Sequence, residues 1–445
     1  MNNSIKLKSL IEKKHVKFRD LDSKDSLPVY GVSNLTGITV TAHRKSEDLS
    51  NYLVIKEGYL AYNPYRVNVG SIGLTPNGIR GLVSPAYIVF KAKNEALLPE
   101  IILAFLKSKE GLRQINKLAR GTVRKALRFD DLCQIEFPNL SYQDQVLILK
   151  KKKGFDDVFL EVNNASINQK SLIAKLKQAI LQEAIQGKLT ADWRAANRDT
   201  EPASKLLERI KEEKARLIAE KKIKKEKPLP EITPEETPFA IPEGWEWCRL
   251  GRLTNEITKG SSPKWQGIKY VSRGEGTLFV TSKNVGSGEL LFEKTTFLEE
   301  RFNEIQPRSI LKKNDILTNL VGASIARTAL FDLDCIANIN QAVALIRIAE
   351  GFINKRLLVL YMNSNHGVEY LLDSRFSPGR ANVSLTDVSN MIVPIPPLAE
   401  HQAIVERVDA LMETCRKLED EIEQSSDHAA DLLQAVLKEA FASAS

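Results

Sequence analysis

Near the end of the chain the apolar positions advance by alternating steps of four and three: Ile404, Val408, Leu411, Cys415, Leu418, Ile422, Ser425, Ala429, Leu432 and Val436. Such spacing predicts a long helix carrying a coiled-coil seam. Subtracting 256 from each number gives Ile148, Lys152, Phe155, Phe159, Val162, Ser166, Gln169, Ile173, Leu176 and Ile180, the same register with polar interruptions in its middle. A second long helix is predicted there. A helix of about 40 residues is roughly 60 Å long at 1.5 Å per residue, and the simplest partner for one such seam is the other. The side chains expected to meet in that pairing are Phe155, Phe159, Val162, Ile173, Leu176 and Ile180 from the first helix and Leu411, Leu418, Ile422, Leu432 and Val436 from the second.

The offset extends beyond the helices. LKQAILQEAI (Leu176 to Ile185) and LLQAVLKEAF (Leu432 to Phe441) share six of ten residues, and the same step pairs Asn63 with Asn319, Ser108 with Ser364, Gly111 with Gly367, Asp131 with Asp387 and Pro138 with Pro394. The chain is therefore read as a tandem duplication. Each copy starts with a short strand, continues through strands and loops rich in Gly, Asn and Pro, and ends in its long helix, which gives a mixed α+β class. The expected boundaries are a first domain over 1–142, a central long helix over 143–190, a charged helix and Pro/Glu linker over 191–240, a second domain over 241–397 and a C-terminal long helix over 398–445. Within the linker region Thr200 and Pro202 mark a helix start, and the Lys-rich helix gives way at Pro228 to extended chain.

Charge separates these segments. Residues 1–140 hold 22 basic and 13 acidic side chains, net +9, whereas residues 398–445 hold 4 and 11, net −7. A basic globular region is the electrostatic footprint of nucleic-acid binding, and an acidic helix faces protein or solvent. No run of 18 uncharged apolar residues is present to span a bilayer, and the N-terminus lacks the apolar stretch of a signal peptide, so a cytoplasmic protein with no membrane partner is expected. The cysteines Cys133, Cys248, Cys335 and Cys415 and the five histidines are scattered without metal-ligand spacing, so no metal is expected.

One stretch raises an enzymatic reading. AYNPYRVNVGSIG, Ala61 to Gly73, places Asn63, Pro64 and Tyr65 after an apolar run, as in the catalytic motif of adenine methyltransferases, where the side-chain amide holds the target amino group of a flipped base. A methyl-donor site also needs a glycine-rich turn between strand and helix, and the nearest candidate, NVGSGE at Asn284 to Glu289, lacks a third glycine. At the repeat position the second copy reads TNLVGAS, so Asn319 is followed by leucine. No phosphate loop, nucleophile elbow or HExxH is present. A binding protein without catalytic residues is expected; a stand-alone adenine methyltransferase and a coiled-coil assembly protein are the alternatives.

LAYNPYRVNVGSIGL with GLVSPAYIVF, ANINQAVALIRI, the closing IEFPNLSYQDQ and IVPIPPLAEHQAIV, LKQAILQEAIQGKLTADWR and the restart IPEGWEWCRLGRL occur in an order that resembles the specificity subunit of Type I restriction-modification systems. The resemblance covers nearly the whole chain. It implies two target recognition domains, each reading half of a bipartite, asymmetric sequence in double-stranded DNA, held apart by an antiparallel pair of long helices. It further implies two modification subunits that bring S-adenosylmethionine, restriction subunits that bring ATP and Mg, and no cofactor in this chain.

Base readout needs side chains that present donors and acceptors to groove edges, chiefly Arg, Lys, Asn and Gln. In the first domain the candidates are Arg66, Arg80, Arg120, Arg124, Lys125 and Arg128, the last four crowded into nine residues. In the second they are Lys259, Lys264, Arg273, Lys283, Asn284, Arg327, Arg380 and Asn382. The aromatic residues Tyr30, Tyr62, Tyr65, Trp265 and Tyr270 are expected chiefly in the core.

Overall fold

The computed structural model describes residues 4–22, 26–34, 37–41, 48–121, 125–225, 227–374 and 382–443. It resolves into two compact units, residues 1–169 with 421–445 and residues 170–420. The first unit opens with β1 (Ser4–Lys6), α1 (Leu7–Leu10) and β2 (Ile11–Lys14), followed by β3 (Val29–Ser33), β4 (Gly37–Val40), β5 (Leu53–Lys56), β6 (Leu60–Tyr62), β7 (Ile72–Leu74), β8 (Arg80–Val83) and β9 (Ile88–Ala92). Next come α2 (Pro99–Lys107), α3 (Lys109–Leu118), α4 (Phe129–Leu132), β10 (Glu136–Pro138) and the long α5 (Tyr142–Ile185). Two four-stranded sheets run in the orders β2-β9-β6-β7 and β4-β3-β8-β5, and β1 pairs with β10.

The second unit contains the end of α5, then α6 (Ala191–Ala196), α7 (Ala203–Ala219), β11 (Glu246–Arg249), α8 (Leu250–Leu253) and β12 (Thr254–Lys259). It continues with β13 (Tyr270–Val271), β14 (Thr277–Val280), β15 (Phe297–Leu298), α9 (Arg301–Ile305), β16 (Asp315–Asn319), β17 (Thr328–Phe331), β18 (Ala337–Ile339) and β19 (Val343–Ile348). The last elements are α10 (Lys355–Asn363), α11 (Asn365–Ser374), α12 (Leu385–Asn390), β20 (Ile392–Ile395) and the long α13 (Glu400–Ser443). Its sheet β12-β19-β16-β17 repeats the order of β2-β9-β6-β7, and β11-β20 repeats β1-β10. The remaining sheet, β13-β15-β14-β18, does not repeat its counterpart. Divergence is thus confined to the layer between β12 and β16 and its relative between β2 and β6, where the two copies also differ in length.

The identities shared by the copies have structural causes. Ser108 and Ser364 each sit between two helices and accept from the backbone N–H of Gly111 and Gly367 at 3.1 and 3.3 Å. A Cβ on Gly111 would lie 2.1 Å from the Phe105 carbonyl oxygen, and one on Gly367 would lie 2.4 Å from that of Tyr361. Only glycine lets the second helix of each hairpin start against the end of the first. At the start of each long helix a different residue does the same work. The Gln145 amide accepts from Leu98 N and donates to the Leu140 carbonyl, while His401, 256 residues on, accepts from Asn354 N through Nδ1 and reaches the Pro396 carbonyl through Nε2 at 3.0 Å. That geometry fixes the neutral tautomer with its proton on Nε2, and burial pushes the imidazole pKa down to about 4.

Both long helices span 44 residues. Gly187, at a φ of 70°, ends α5 by donating to the Ala184 carbonyl. Within the first unit the end of α13 enters the domain core: Leu437, Ala440 and Phe441 are buried with Leu60, Tyr62, Phe90, Ile102 and Ile148, and the rings of Phe441 and Phe105 meet edge-on at 5.4 Å. Farther along, Ser426 approaches Asn163 at 3.4 Å. In the second unit Ile185, at the end of α5, joins a core with Leu206, Ile210, Leu250, Ile346, Leu358 and Met362. Lys177 there donates to both carboxylate oxygens of Glu419, and Arg407 pairs with Asp192. As one helix advances the other recedes, so the two run antiparallel in each unit. The architecture is α+β with an internal repeat and an antiparallel helix pair, and among the described residues no helix is long and apolar enough to cross a membrane.

The seam departs from the strict heptad reading. Ile173, Ile180, Ile404, Val408 and Cys415 are buried, and Phe155, Phe159, Val162, Ile422 and Val436 are half-buried. Leu176 is 45% exposed, Leu432 is 55% exposed, and Leu411 and Leu418 are each 39% exposed. Their neighbours Lys177, Leu433, Met412 and Glu419 take the inward places. A straight helix turns once per 3.6 residues, so its inward face slips by about 20° per heptad. The inward positions accordingly recur eleven residues apart, as in Ile404 and Cys415 or Ile173 and Ala184.

Ile180→Ala is expected to lower the unfolding free energy by about 2–4 kcal/mol, and Leu176→Ala by less than about 0.5 kcal/mol; denaturant titration of both variants reads the difference. Below the unfolded-state histidine pKa of about 6.5 the unfolded chain takes up a proton that folded His401 refuses, so stability falls with pH down to about 4. His401→Gln, which restores the amide found at Gln145, is expected to fold at pH 7 and to remove roughly 3 kcal/mol of this acid sensitivity in melts between pH 7 and 4.

Candidate nucleic-acid interface

In the first unit the candidate surface is built where β6 runs out of the sheet. The side-chain oxygen of Asn63 accepts from Tyr65 N at 3.0 Å, and the Asn63 carbonyl accepts from Arg66 N and Val67 N. This Asx turn reverses the chain after a buried strand. Its carbonyl at Pro64 accepts from Leu127 N at 3.0 Å, and the Tyr62 hydroxyl donates to the Leu127 carbonyl at 3.2 Å. Arg120 and Ala126 exchange backbone hydrogen bonds of 3.0 and 2.8 Å, closing the loop between them. The turn at Asn63 and the loop at 120–128 are therefore stitched together. Exposed Tyr65, Arg66, Arg120, Lys125 and Arg128 share that site. Arg120 also reaches buried Asp131 at 2.8 Å, which anchors the base of the loop.

Among the described residues Arg66, Lys125 and Arg128 pair with no carboxylate. Arg80 is exposed at the start of β8, in the other four-stranded sheet. Arg124 lies outside the described residues. The methyltransferase reading of Asn63 fails on its own geometry, because the side-chain oxygen is spent on the turn.

In the second unit Lys259 ends β12, and Lys264 and Trp265 sit on a single 3-10 turn, Pro263–Gln266, braced by Gln266 donating to the Ser261 hydroxyl at 2.8 Å. Lys259, Lys264, Arg273, Lys283, Arg327 and Asn382 are exposed, and Arg380 lies outside the described residues. Asn284 is not a readout residue. It is buried, its side-chain oxygen accepts from the Thr281 backbone and hydroxyl, and its amide donates to the carbonyls of Leu291 and Lys294. Asn319, the repeat partner of Asn63, is buried and donates to the Ser282 and Val285 carbonyls at 2.9 and 3.3 Å. It also accepts from Ala326 N and donates its own N–H to the Arg327 carbonyl. Lys283 and Arg327 are thus brought together around one buried asparagine.

Three aromatic residues expected in the core are outside it. Trp265 is 80% exposed, and Tyr65 and Tyr270 are more than half exposed, whereas Tyr62 is wholly buried and Tyr30 partly so. Exposed aromatic faces beside cations are what stacking on bases or sugars requires. The signal available in sequence was adjacency: Tyr65 precedes Arg66, and Trp265 follows Lys264 behind a proline. Among the described residues no group of three or more His, Cys, Asp or Glu is placed to hold a metal.

The candidate residues thus sit on exposed basic and aromatic loops of a duplicated α+β module. Residues 242–425 match the family described as the Type I restriction modification DNA specificity domain. The chain is similar to two specificity subunits of Type I restriction enzymes from Escherichia coli: EcoAI, 34% identical over 271 residues, and EcoEI, 28% identical over 281. These alignments cover 58% and 59% of this chain but 43% and 44% of the relatives, so less than half of each relative's length is matched. A solved chain from work on complex assembly and conformational transition of the type I R-M system shares the fold, with a TM-score of 0.64 at 18% identity, over 98% of this chain and 97% of that one. Residues 242–425 thus carry a Type I restriction modification DNA specificity domain, and the chain is similar over more than half its length to Type I restriction enzyme specificity subunits.

Asn284→Ala strands two carbonyls and two donors that now close on one buried side chain, and is expected to cost about 1–3 kcal/mol. Lys283→Ala beside it is expected to stay within about 0.5 kcal/mol of the parent. Thermal melts of the two variants separate the structural residue from the surface one.

Proposed function

We propose that this chain is the DNA-recognition subunit of a Type I restriction-modification complex and carries no catalytic residue itself. Its two domains each read half of a bipartite, asymmetric site in duplex DNA. The observation that carries this reading is the stitched site of the first domain, where Arg66, Lys125 and Arg128 stand unneutralised by any described carboxylate beside an exposed tyrosine. Exposed cations on a rigid turn bind phosphates and reach base edges without first breaking ion pairs. In the second domain Lys259, Lys264, Lys283 and Arg327 are the corresponding contacts, with Trp265 and Tyr270 as stacking surfaces.

The paired helices set how many unread base pairs separate the half-sites. They also dock other subunits: Leu147, Val158, Leu160, Ile167, Leu172 and Leu176 on α5 and Leu411, Leu418 and Leu432 on α13 are exposed, more apolar surface than two helices in water alone would leave uncovered. Two modification subunits bring S-adenosylmethionine and flip an adenine in each half-site, and restriction subunits bring ATP and Mg. The complex works in the cytoplasm.

Fluorescence anisotropy of the full chain with a labelled duplex, from about 50 to 200 mM salt, tests the DNA face. Affinity is expected to fall linearly on logarithmic axes, and Arg66→Ala with Arg128→Ala to reduce the slope by about two. A slope unchanged in the double variant removes the first-domain site from the DNA contact.

A further inference from the structure

Beside α7 in the second unit lies a cleft of about 780 Å³ that the DNA reading does not use. One wall is α7, whose Leu206 and Ile210 are buried in the domain core and whose first N–H, at Ala203, donates to the Gly244 carbonyl at 2.8 Å. The other wall is the extended segment after Pro228. It is pinned by buried Arg249, which donates to the carbonyls of Pro230 and Glu231 and to both carboxylate oxygens of Glu236. Lys214 crosses the base to the Gly251 carbonyl at 2.9 Å. Both walls are therefore held by the domain itself, and the cleft is preformed.

Its lining is two-natured. Leu207, Ile218 and Leu229 are half-buried in the floor, and exposed Lys211, Lys224 and Lys225 stand on the rim. Among the described lining residues six side chains are basic and two, Glu208 and Glu246, are acidic, so the field over an apolar floor is positive. Duplex DNA does not suit such a place, because it is too wide and stiff to enter a cleft of this size and its phosphates and sugars offer nothing to an aliphatic floor. Single strands need open aromatic faces, and the aromatic ring in the lining, Trp247, is packed edge-on against Phe239 at 5.0 Å.

We propose that this cleft docks an acidic amphipathic helix of a partner protein, its leucine-like residues on Leu207, Ile218 and Leu229 and its carboxylates on the lysine rim. Helix-in-groove recognition uses this pairing of an apolar stripe with flanking charge. Lys211 on α7 and the lysines that follow the helix then have a recognition role, beyond that of a solvated face.

The test uses the full chain and a fluorescein-labelled synthetic peptide of about 18 residues, with Leu at helical i, i+3, i+4 and i+7 positions and Glu elsewhere. A scrambled peptide of the same composition and a single-stranded oligonucleotide of equal charge are the controls. The amphipathic peptide is expected to bind at least tenfold more tightly than the scramble, and Lys211→Glu with Lys225→Glu to weaken it at least tenfold while duplex binding is unchanged. Leu207→Ser, checked for an unaltered melt, is expected to weaken it as well. Equal binding of the scramble, indifference to the lysine reversals, or equal competition by the oligonucleotide would overturn the proposal, the last by making the cleft a nucleic-acid site.

Discussion

A long helix whose ends carry apolar side chains cannot leave those ends in water, and the burial of each end governs this fold. Leu437, Ala440 and Phe441 close α13 inside the core that also holds Tyr62, Phe90 and Ile102, and Ile185 closes α5 inside the core around Leu250 and Leu358. Fully burying a leucine, isoleucine or phenylalanine side chain contributes about 1.5–3 kcal/mol. Neither domain completes its core from one copy of the repeat. The first takes in the tail of the second copy, and the second takes in the tail of the first. A charged lock accompanies the burial: Glu400, fully buried at the start of α13, accepts from Thr190, Arg194 and Trp245. Each unit is thereby committed to segments from both halves of the sequence.

Duplication under that constraint preserved the parts that set the geometry and freed the rest. The hairpin of α2 and α3 and that of α10 and α11 keep the same serine cap and the same glycine, because the backbone approach leaves no room for a side chain. Gln145 and His401 are interchangeable because both offer an acceptor and a donor at the same spacing. Asn63 and Asn319 kept their identity but not their task, one making a turn and the other bracing a loop. The sheets of the variable layer, β4-β3-β8-β5 and β13-β15-β14-β18, do not share a strand order.

Much of this was legible in the chain. The long helices followed from their periodicity, and the 256-residue step aligns α2 with α10 and α3 with α11, although strands and loops alone were expected before each long helix. The seam was legible only in part, since a strict heptad assigns Leu176, Leu411, Leu418 and Leu432 inward when a straight helix turns them out. Burial of Asn284 was not legible, because an asparagine that satisfies four backbone and side-chain groups looks in sequence like one that faces a groove. The same holds for Trp265 and Tyr65, where hydrophobicity argued for the core and a rigid turn placed the ring in solvent. The cleft beside α7 required a pinned extended segment, set by Arg249 bonding to residues 13 to 19 positions earlier, and no local pattern encodes that.

The most direct test of reciprocal core completion is hydrogen exchange on a chain ending at Asp420. If the tail of α13 belongs to the first core, amides of α2, α3 and the first half of α5 lose protection by orders of magnitude, while β16, β19 and α10 keep theirs. Protection of the first domain unchanged in the shortened chain would contradict the account.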